Sequence, residues 1–226
     1  MNLKSILFFL LLSFSVFSQK QFEFDYMLIY DFKSDESSES EEMVFLTNSK
    51  DNSYNILLIS KKENWSVSMN HKDFVSMPFE LPKLQLESLK VLTLNCDLIR
   101  STGDYNKEKI DKNYKFIDVE PVDIDGFLYE TFALKLVDSK KEKKKKEPTF
   151  YYCIEKNTDF HLPILLNSVI NVNYFEEKSV PNGIAKEMYL VSYVKKEKTS
   201  IFKLKDILKI HKTVLLPKDC EVYLNK

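Results

Sequence analysis

The chain has 226 residues and a formal net charge of −1, with only 3 glycines against 17 phenylalanines and 12 tyrosines. The near-zero charge argues against a general nucleic-acid binder, which needs a strong basic excess. The aromatic content argues against intrinsic disorder, and so few glycines leave no room for a phosphate loop or a dinucleotide-binding fingerprint. A folded globular protein remains.

The first residues, 1–18, have the layout of a secretory signal peptide, in which Lys4 precedes an unbroken apolar run at positions 6–12. That run is well short of the roughly 20 residues that span a bilayer. We therefore predict cleavage after Ser18, export to the periplasm or the extracellular space, and no transmembrane segment after cleavage. The remaining chain, residues 19–226, is predicted to form a single mostly-β domain.

Residues 22–32 predict the first strand. Large apolar side chains occupy every second position there: Phe22, Phe24, Tyr26, Leu28, Tyr30 and Phe32. A period of two places all six on one face of a strand, whereas a helix would scatter them around its axis. The sequence therefore predicts a strand with one aromatic face.

Later segments predict further strands, because they are rich in β-branched and aromatic residues and are bounded by turn residues. They cover residues 43–47, 54–60, 65–69, 114–119, 127–137, 149–156 and 184–194. The dipeptide Asp125-Gly126 predicts a tight hairpin turn. The strands therefore follow one another at short spacing, with turns between them.

The segments between these strands are less uniform. An acidic run, 34–42, and a basic run, 139–148, are predicted as solvated connections rather than as calcium or polyanion sites. Residues 78–82 interrupt the strand pattern with two prolines. Residues 83–98 and 200–211 fit either a helix or a strand, and apolar spacing between Leu162 and Ile170 fits a short helix.

This succession of about ten short strands favours a mainly-β fold with an antiparallel sheet. Several later strands are apolar on both faces, which a sheet exposed to water on one face does not need. The second face must therefore be covered by another sheet, by a packed helix or by a bound apolar ligand.

Three cysteines, Cys96, Cys153 and Cys220, allow at most one internal disulfide. The sequence does not choose among the three possible pairings. Because no paired spacing suggests a disulfide framework, we favour the interpretation that all three are small, partly buried hydrophobic residues.

No catalytic motif is found in the chain. There is no G-x-S-x-G turn, and the three histidines, His71, His161 and His211, lie far apart without metal-ligand spacing. A Cys153–His161 nucleophile pair would depend on spatial proximity that the sequence does not show. We therefore predict no catalytic residue, no metal and no cofactor, and we expect a protein that is not an enzyme.

Several segments together resemble a known group of secreted proteins. These are a signal segment ending in FSQ, the first strand FEFDYMLIYDF, the aromatic strand FYYCIEKN followed by FHLPILL, and the string VPNGIAKEMYLV. The pattern resembles GLPGLI-type and related LolA-like secreted β-proteins of Gram-negative bacteria. The resemblance implies a curved antiparallel sheet, a half-barrel, with one or two short helices covering it, and it implies no catalytic residues.

These features lead to the hypothesis of an exported, non-enzymatic cell-envelope protein whose concave apolar face binds a hydrophobic ligand, either a lipid or the acyl chain of a lipoprotein. The predicted ligand-binding residues are Phe24, Tyr26, Leu28 and Trp65. One alternative is an interaction or structural module whose core is filled by its own side chains. Another is a hydrolase whose site is assembled from distant residues. No nucleic-acid partner is expected, and the oligomeric state stays open.

Overall fold

The computed structural model describes residues 19–71, 74–88, 90–101, 114–136, 138–155, 158, 164 and 182–220. The predicted signal peptide lies outside these residues. So does the predicted short helix between Leu162 and Ile170, apart from Ile164.

The described residues form thirteen strands of one sheet. The strands are β1 (Lys20–Asp35), β2 (Glu41–Thr47), β3 (Tyr54–Ser60), β4 (Asn64–His71), β5 (Phe74–Ser76), β6 (Phe79–Pro82), β7 (Val91–Thr93), β8 (Ile99–Ser101), β9 (Tyr114–Ile124), β10 (Phe127–Leu136), β11 (Thr149–Ile154), β12 (Ala185–Val191) and β13 (Lys198–Leu216). Two short helices, α1 (Lys83–Ser88) and α2 (Ser139–Lys145), and two 3-10 turns, Cys96–Leu98 and Lys218–Cys220, lie between or after them.

The strand order is β8-β5-β4-β3-β2-β1-β13-β12-β11-β10-β9, with β6 paired to β4 and β7 paired to β13. The pairs are antiparallel except for the short parallel pair of β7 with β13. The sheet is curved and does not close into a barrel. The predicted mainly-β fold, with an antiparallel half-barrel sheet and short helices, is therefore confirmed.

The centre of the sheet is the antiparallel pair of the first and last strands, β1 and β13. Their register shifts twice, between Phe24 and Tyr26 and again between Ile29 and Tyr30. Such shifts mark β-bulges, which bend a strand and increase its twist. The two irregularities therefore curve the sheet at its middle.

Apolar side chains are buried on both faces of the sheet, and the two largest clusters lie on opposite faces. The first, which we call the closed cluster, consists of Phe22, Phe24, Val44, Leu46, Tyr54, Ile56, Leu58, Val67, Met69, Phe74, Leu81, Leu86, Leu94, Ile99, Val214, Leu216 and Cys220. The second, which we call the aromatic face, is built around Leu28, Tyr30, Phe45, Leu134, Tyr152, Ile154, Ile184, Ala185, Met188 and Phe202. Adjacent residues of one strand enter different clusters, as Val44 and Phe45 do. Because successive side chains of a strand point to opposite faces, the two clusters lie on opposite faces of the sheet.

The prediction that six alternating residues of β1 share one face is wrong. Phe22 and Phe24 belong to the closed cluster, whereas Leu28 and Tyr30 belong to the aromatic face. Beyond the register shift at Phe24–Tyr26, the residues that pack against the closed cluster are the odd-numbered Met27 and Ile29. Apolar residues alternate between the two faces on both sides of the shift. Before it the even-numbered residues face the closed cluster, and after it the odd-numbered ones do.

A disulfide joins Cys96 and Cys220, whose Cα atoms lie 4.7 Å apart and whose sequence separation is 124 residues. Each cysteine lies in one of the two 3-10 turns. The interpretation of all three cysteines as small hydrophobic residues is therefore wrong for this pair. It is correct for Cys153, which is free and buried.

The structure also decides the ambiguous segments. Residues 83–98 divide into α1, β7 and the first 3-10 turn, and residues 200–211 are entirely strand. The stretch 78–82, taken as an interruption, contains β6, which pairs with the outer side of β4. Prolines are tolerated there because Pro82 is the last residue of β6 and Pro78 precedes it. The basic run, predicted as a solvated connection, contains α2.

Candidate functional site

The aromatic face is held together by a row of side chains that crosses five strands. The cross-strand pairs of this row are Phe132 with Tyr152, Tyr152 with Met188, Met188 with Phe202, and Phe202 with Phe32. Directly opposed side chains in an antiparallel sheet lie close enough to interact. The register therefore makes a continuous apolar surface from β10 to β1.

Tyr30 is the polar anchor of this surface. Its side chain is 1% exposed, and its hydroxyl donates a hydrogen bond of 2.9 Å to the backbone carbonyl of Ala185. Burial raises the pKa of Tyr30 well above its ordinary value. Its ring also meets Phe45 edge-on at 5.8 Å between centroids, and such edge contacts add to the stabilisation from burial.

Many side chains of the aromatic face are only half-buried. Eleven partly buried residues pack against its ten buried ones: Tyr26, Phe32, Met43, Leu57, Tyr114, Phe116, Phe132, Phe150, Ile164, Leu204 and Ile207. By contrast, only seven partly buried residues pack against the seventeen buried ones of the closed cluster. Among the described residues, the aromatic face is therefore the less completely covered side of the sheet.

The four predicted ligand-binding residues do not line one surface. Tyr26 and Leu28 lie on the aromatic face, whereas Phe24 is part of the closed cluster and Trp65 packs against it. The ammonium of Lys83 stands 5.2 Å from the centroid of the Trp65 ring. Two of the four are thus brought together, and the other two are separated from them by the thickness of the sheet.

The sequence analysis missed the aromatic residues that β9, β10, β11 and β13 add to this surface. They are Phe116, Phe132, Phe150 and Phe202. All four lie in segments where apolar residues are dense, which was the available signal. That these four residues share one face follows only from the order in which the strands pair, and the pattern within a single strand does not reveal that order.

The other side of β10–β13 buries a third, smaller apolar cluster, which contains a free thiol and consists of Tyr129, Cys153, Tyr189 and Ile201. Cys153 is fully buried and receives a weak hydrogen bond from Thr131 Oγ1 at 3.6 Å. Burial is the main cause that raises the pKa of the Cys153 thiol, so the reactive thiolate is disfavoured. The neighbouring cross-strand residue is Glu187, whose carboxylate lies 3.2 Å from the Lys198 ammonium.

The histidines are not gathered around this thiol in the part of the chain that the structure describes. His71 stacks on Phe74 with ring centroids 4.7 Å apart, at the closed cluster. His211 is an exposed residue of β13, and His161 lies outside the described residues. Within the described residues, no group of three or more His, Cys, Asp or Glu side chains could hold a metal ion.

None of the helices in the described part of the chain is both long enough and apolar enough to cross a membrane.

Comparison with known proteins finds no matching family model and no matching curated protein. Among solved structures, the chain is similar to MucB at 7% identity and a TM-score of 0.39, covering 82% of this chain and 53% of that one. A second match, at 8% identity and a TM-score of 0.40, comes from the structure of the Pseudomonas aeruginosa MucA/MucB complex and covers 82% of this chain and 51% of the other. The chain thus spans about half the length of these first two structures.

A third solved structure is a LolA superfamily protein from Nitrosomonas europaea. It is 15% identical, with a TM-score of 0.29, and the match covers 84% of this chain and 86% of that one. Structure comparison therefore also finds the LolA-like resemblance that the sequence indicates.

Proposed function

We propose that this protein is an exported, non-enzymatic protein of the cell envelope that binds the acyl chain of a lipid or lipoprotein on the aromatic face. The observation that carries the proposal is the excess of half-buried over fully buried apolar side chains there, eleven against ten among the described residues. Half-covered apolar surface stays in contact with water, and an apolar guest that displaces this water lowers the free energy.

The surface has the chemistry of a lipid site. Its half-buried residues are aromatic and aliphatic, with Phe32, Phe132 and Leu204 among them. Acyl chains are bound by apolar contact area, and each buried methylene contributes about 0.8 kcal/mol. Tyr26 and Leu28 stay in the proposed site, whereas Phe24 and Trp65 are assigned to the opposite face.

Export is supported by two independent features. The first is the signal-peptide layout of residues 1–18, which we propose are removed to leave one domain, residues 19–226. The second is the disulfide between Cys96 and Cys220, because disulfides persist in oxidising compartments such as the periplasm and the extracellular space. The two features are independent of each other, and both favour a location outside the cytoplasm.

The non-enzymatic part of the proposal is supported by Cys153, the thiol that the sequence analysis considered as part of a nucleophile pair. Its side chain is buried, and its pKa is raised chiefly by that burial. A catalytic thiol needs the opposite environment, which is partial exposure and a lowered pKa.

The test is a binding titration of purified residues 19–226 with the fluorescent apolar probe N-phenyl-1-naphthylamine, followed by its displacement with 1-hexadecanol. Leu204→Gln places a polar group on the aromatic face. Ile210→Gln is the matched control, because Ile210 is also a half-buried aliphatic residue of β13 but packs against the closed cluster. We expect Leu204→Gln to weaken hexadecanol binding about tenfold, since one lost apolar contact site contributes on the order of 1.4 kcal/mol or more.

Equal weakening by both variants would assign the binding to general loosening of the fold rather than to the aromatic face. Absence of hexadecanol binding, together with absence of co-purifying lipid in mass spectra of extracts, would overturn the proposal and favour a module with a filled core. Circular dichroism of each variant checks that the sheet is retained.

A further inference from the structure

One stretch of the central strand β13 is paired on one side only. β1 pairs with β13 along residues 199–216. On the opposite side of β13, β12 pairs with residues 198–203 and β7 pairs with residues 213–215. Among the described residues, no strand pairs with that side between them. We call this stretch, residues 204–212, the open edge.

The open edge is exposed although it lies in the middle of the sheet. All of its residues are exposed or half-buried, whereas Phe202 before it and Val214 after it are buried. Ile207 packs against the aromatic face and Ile210 against the closed cluster, and both are only half-buried. Within the described part of the chain, the sheet is therefore incompletely covered on both faces at this point.

The backbone of the open edge has hydrogen-bonding groups for a further strand. In a sheet, alternate residues of a strand direct their N–H and C=O groups away from a given neighbour. The N–H of Ile207 donates a 2.8 Å hydrogen bond to Oδ1 of the adjacent Asp206. Such a local bond from backbone to side chain competes with the bonds of a sheet. A new strand that pairs here would take the place of the Asp206 carboxylate.

The open edge differs from β9, the long strand at one end of the sheet. β9 contains Pro121 together with the acidic residues Asp118, Glu120 and Asp123. A proline and charged side chains protect an edge strand from pairing with another chain. The open edge contains no proline, so its backbone lacks this protection.

The charged side chains of the open edge do not block its backbone. The ammonium of Lys205 lies 3.3 Å from the carboxylate of Glu42, which is on β2, beyond β1. The ammonium of Lys212 donates a 2.6 Å hydrogen bond to the backbone carbonyl of Leu86 in α1. Lys209 is exposed, and its side chain stands out from a face of the sheet, as side chains of a strand do. A strand that pairs in the plane of the sheet therefore reaches the backbone.

From this geometry we propose that the open edge binds an extended segment of another polypeptide, which adds a strand beside β13 between β12 and β7. Hydrogen bonds between the two main chains supply the affinity in this mode of recognition. Leu204 and Ile207 lie on the aromatic face, and Leu208 lies on the other face, opposite Met27. Apolar and β-branched side chains of the partner therefore suit both faces. This inference goes beyond the proposed lipid binding and does not depend on it.

The length of the open edge favours a linear peptide over a second copy of this chain. The nine positions 204–212 span about 30 Å of strand. β9 has 11 residues and is too long to enter between β12 and β7. β8, at the other end of the strand order, has only 3 residues and offers few hydrogen bonds.

The test is fluorescence anisotropy of a labelled peptide of seven residues, alternating threonine and valine, titrated with purified residues 19–226. The control peptide has the same sequence with its three central amides N-methylated, which removes donors and obstructs pairing. We expect the control to bind at least tenfold more weakly. Hydrogen exchange with mass spectrometry locates the complex. Backbone amides within residues 204–212 are expected to gain protection, and those of β9 are not.

Two variants of one residue test the backbone bond itself. Asp206→Ala removes the carboxylate that occupies the Ile207 N–H, so we expect the peptide to bind about fivefold more tightly, as one net hydrogen bond predicts. Asp206→Asn is the matched control, because it removes the same charge but keeps an oxygen that accepts the same bond. Its affinity for the peptide is expected to stay within about twofold of the native value.

Absence of peptide binding, equal binding of the two peptides, or protection outside residues 204–212 would overturn the inference. Equal tightening by Asp206→Ala and Asp206→Asn would also overturn it, since charge alone would then account for the effect. Self-association of the protein in analytical ultracentrifugation, if the peptide suppresses it, would assign the open edge to a second copy instead. Hexadecanol binding is measured separately, so none of these results alters the test of the proposed function.

Discussion

The closed cluster and the aromatic face lie on opposite sides of one sheet, and their side chains are buried to different extents. Short elements close the first: α1 contributes the buried Leu86, and the disulfide holds the last 3-10 turn against it. Seventeen of its residues are buried against seven half-buried ones. On the aromatic face the half-buried residues outnumber the buried ones. Among the described residues, the comparison teaches that burial is more complete on one side and that the other side keeps more half-buried apolar surface.

The largest effect is expected from Phe24→Ala, on the closed side. Phe24 is 1% exposed, and its ring meets Tyr54 edge-on at 5.3 Å. Truncation leaves a cavity in packed surroundings, so we expect the free energy of unfolding to fall by about 4 kcal/mol. Urea unfolding followed by circular dichroism measures this change. A loss below about 1 kcal/mol would show that the closed cluster is not the stabilising side.

The next effect concerns the disulfide that fastens the closed side. Replacement of Cys96 and Cys220 together by Ala removes a link between residues 124 apart in sequence. A link across so long a loop restricts the unfolded chain, so its loss is expected to cost about 3 kcal/mol. Comparison of the unfolding free energies of the variant and of the reduced native protein separates the effect of losing the bond from the effect of replacing the side chains. Equal stability with and without the bond would contradict this account.

Phe132→Ala makes the same chemical change as Phe24→Ala, but on the aromatic face. Phe132 is half-buried there, so less apolar area returns to water and no closed cavity forms. We expect the free energy of unfolding to fall by about 1 to 2 kcal/mol. The same urea titration measures it, and hexadecanol binding should weaken in parallel. A loss as large as that of Phe24→Ala would abolish the distinction between the two sides.

The smallest effect at neutral pH is expected from Tyr30→Phe, which removes one buried hydrogen bond and costs about 1 kcal/mol. Its diagnostic is alkaline pH. Burial raises the pKa of Tyr30 in the folded state, so above about pH 10 the unfolded state binds fewer protons and the native protein loses stability as pH rises. Tyr30→Phe has no hydroxyl to ionise, so its stability does not fall with pH for this reason.

Unfolding free energies at about pH 9 and about pH 11 measure the difference, which should shrink or reverse at the higher pH. The two proteins differ only at position 30, so contributions from the rest of the chain cancel in the comparison. A constant difference between the two proteins across this range would mean that Tyr30 is not held protonated by the fold.

The fold class could be predicted from the sequence because strand alternation is a local property. The Asp125-Gly126 turn was predicted for the same reason, and both residues adopt the positive φ angles that such a turn requires, 54° and 84°. Residues 200–211, whose sequence fits either a helix or a strand, show why the pattern within one segment is not always sufficient to predict its structure. Its inward positions are Phe202 and Leu204 before the register shift and Ile207 after it. The bulge breaks the period of two, and the pattern then also fits a helix.

The site could be predicted only in part, because membership of a face depends on pairing between distant strands. The alternation of β1 was correct on each side of the bulge, but the reversal of its phase is fixed by β13, nearly two hundred residues away. The disulfide is similar, since the parallel pairing of β7 with the end of β13 belongs to the tertiary structure that brings Cys96 near Cys220. No spacing within the sequence contains that information.

The position of β1 beside β13 bears on how the polypeptide matures. Because β13 follows β2 to β12 in the chain, the central pair of the sheet cannot form until all of these strands have been synthesised. Contacts between such remote segments form slowly. The central pair of the sheet is therefore among the last parts of the described structure that can assemble during synthesis.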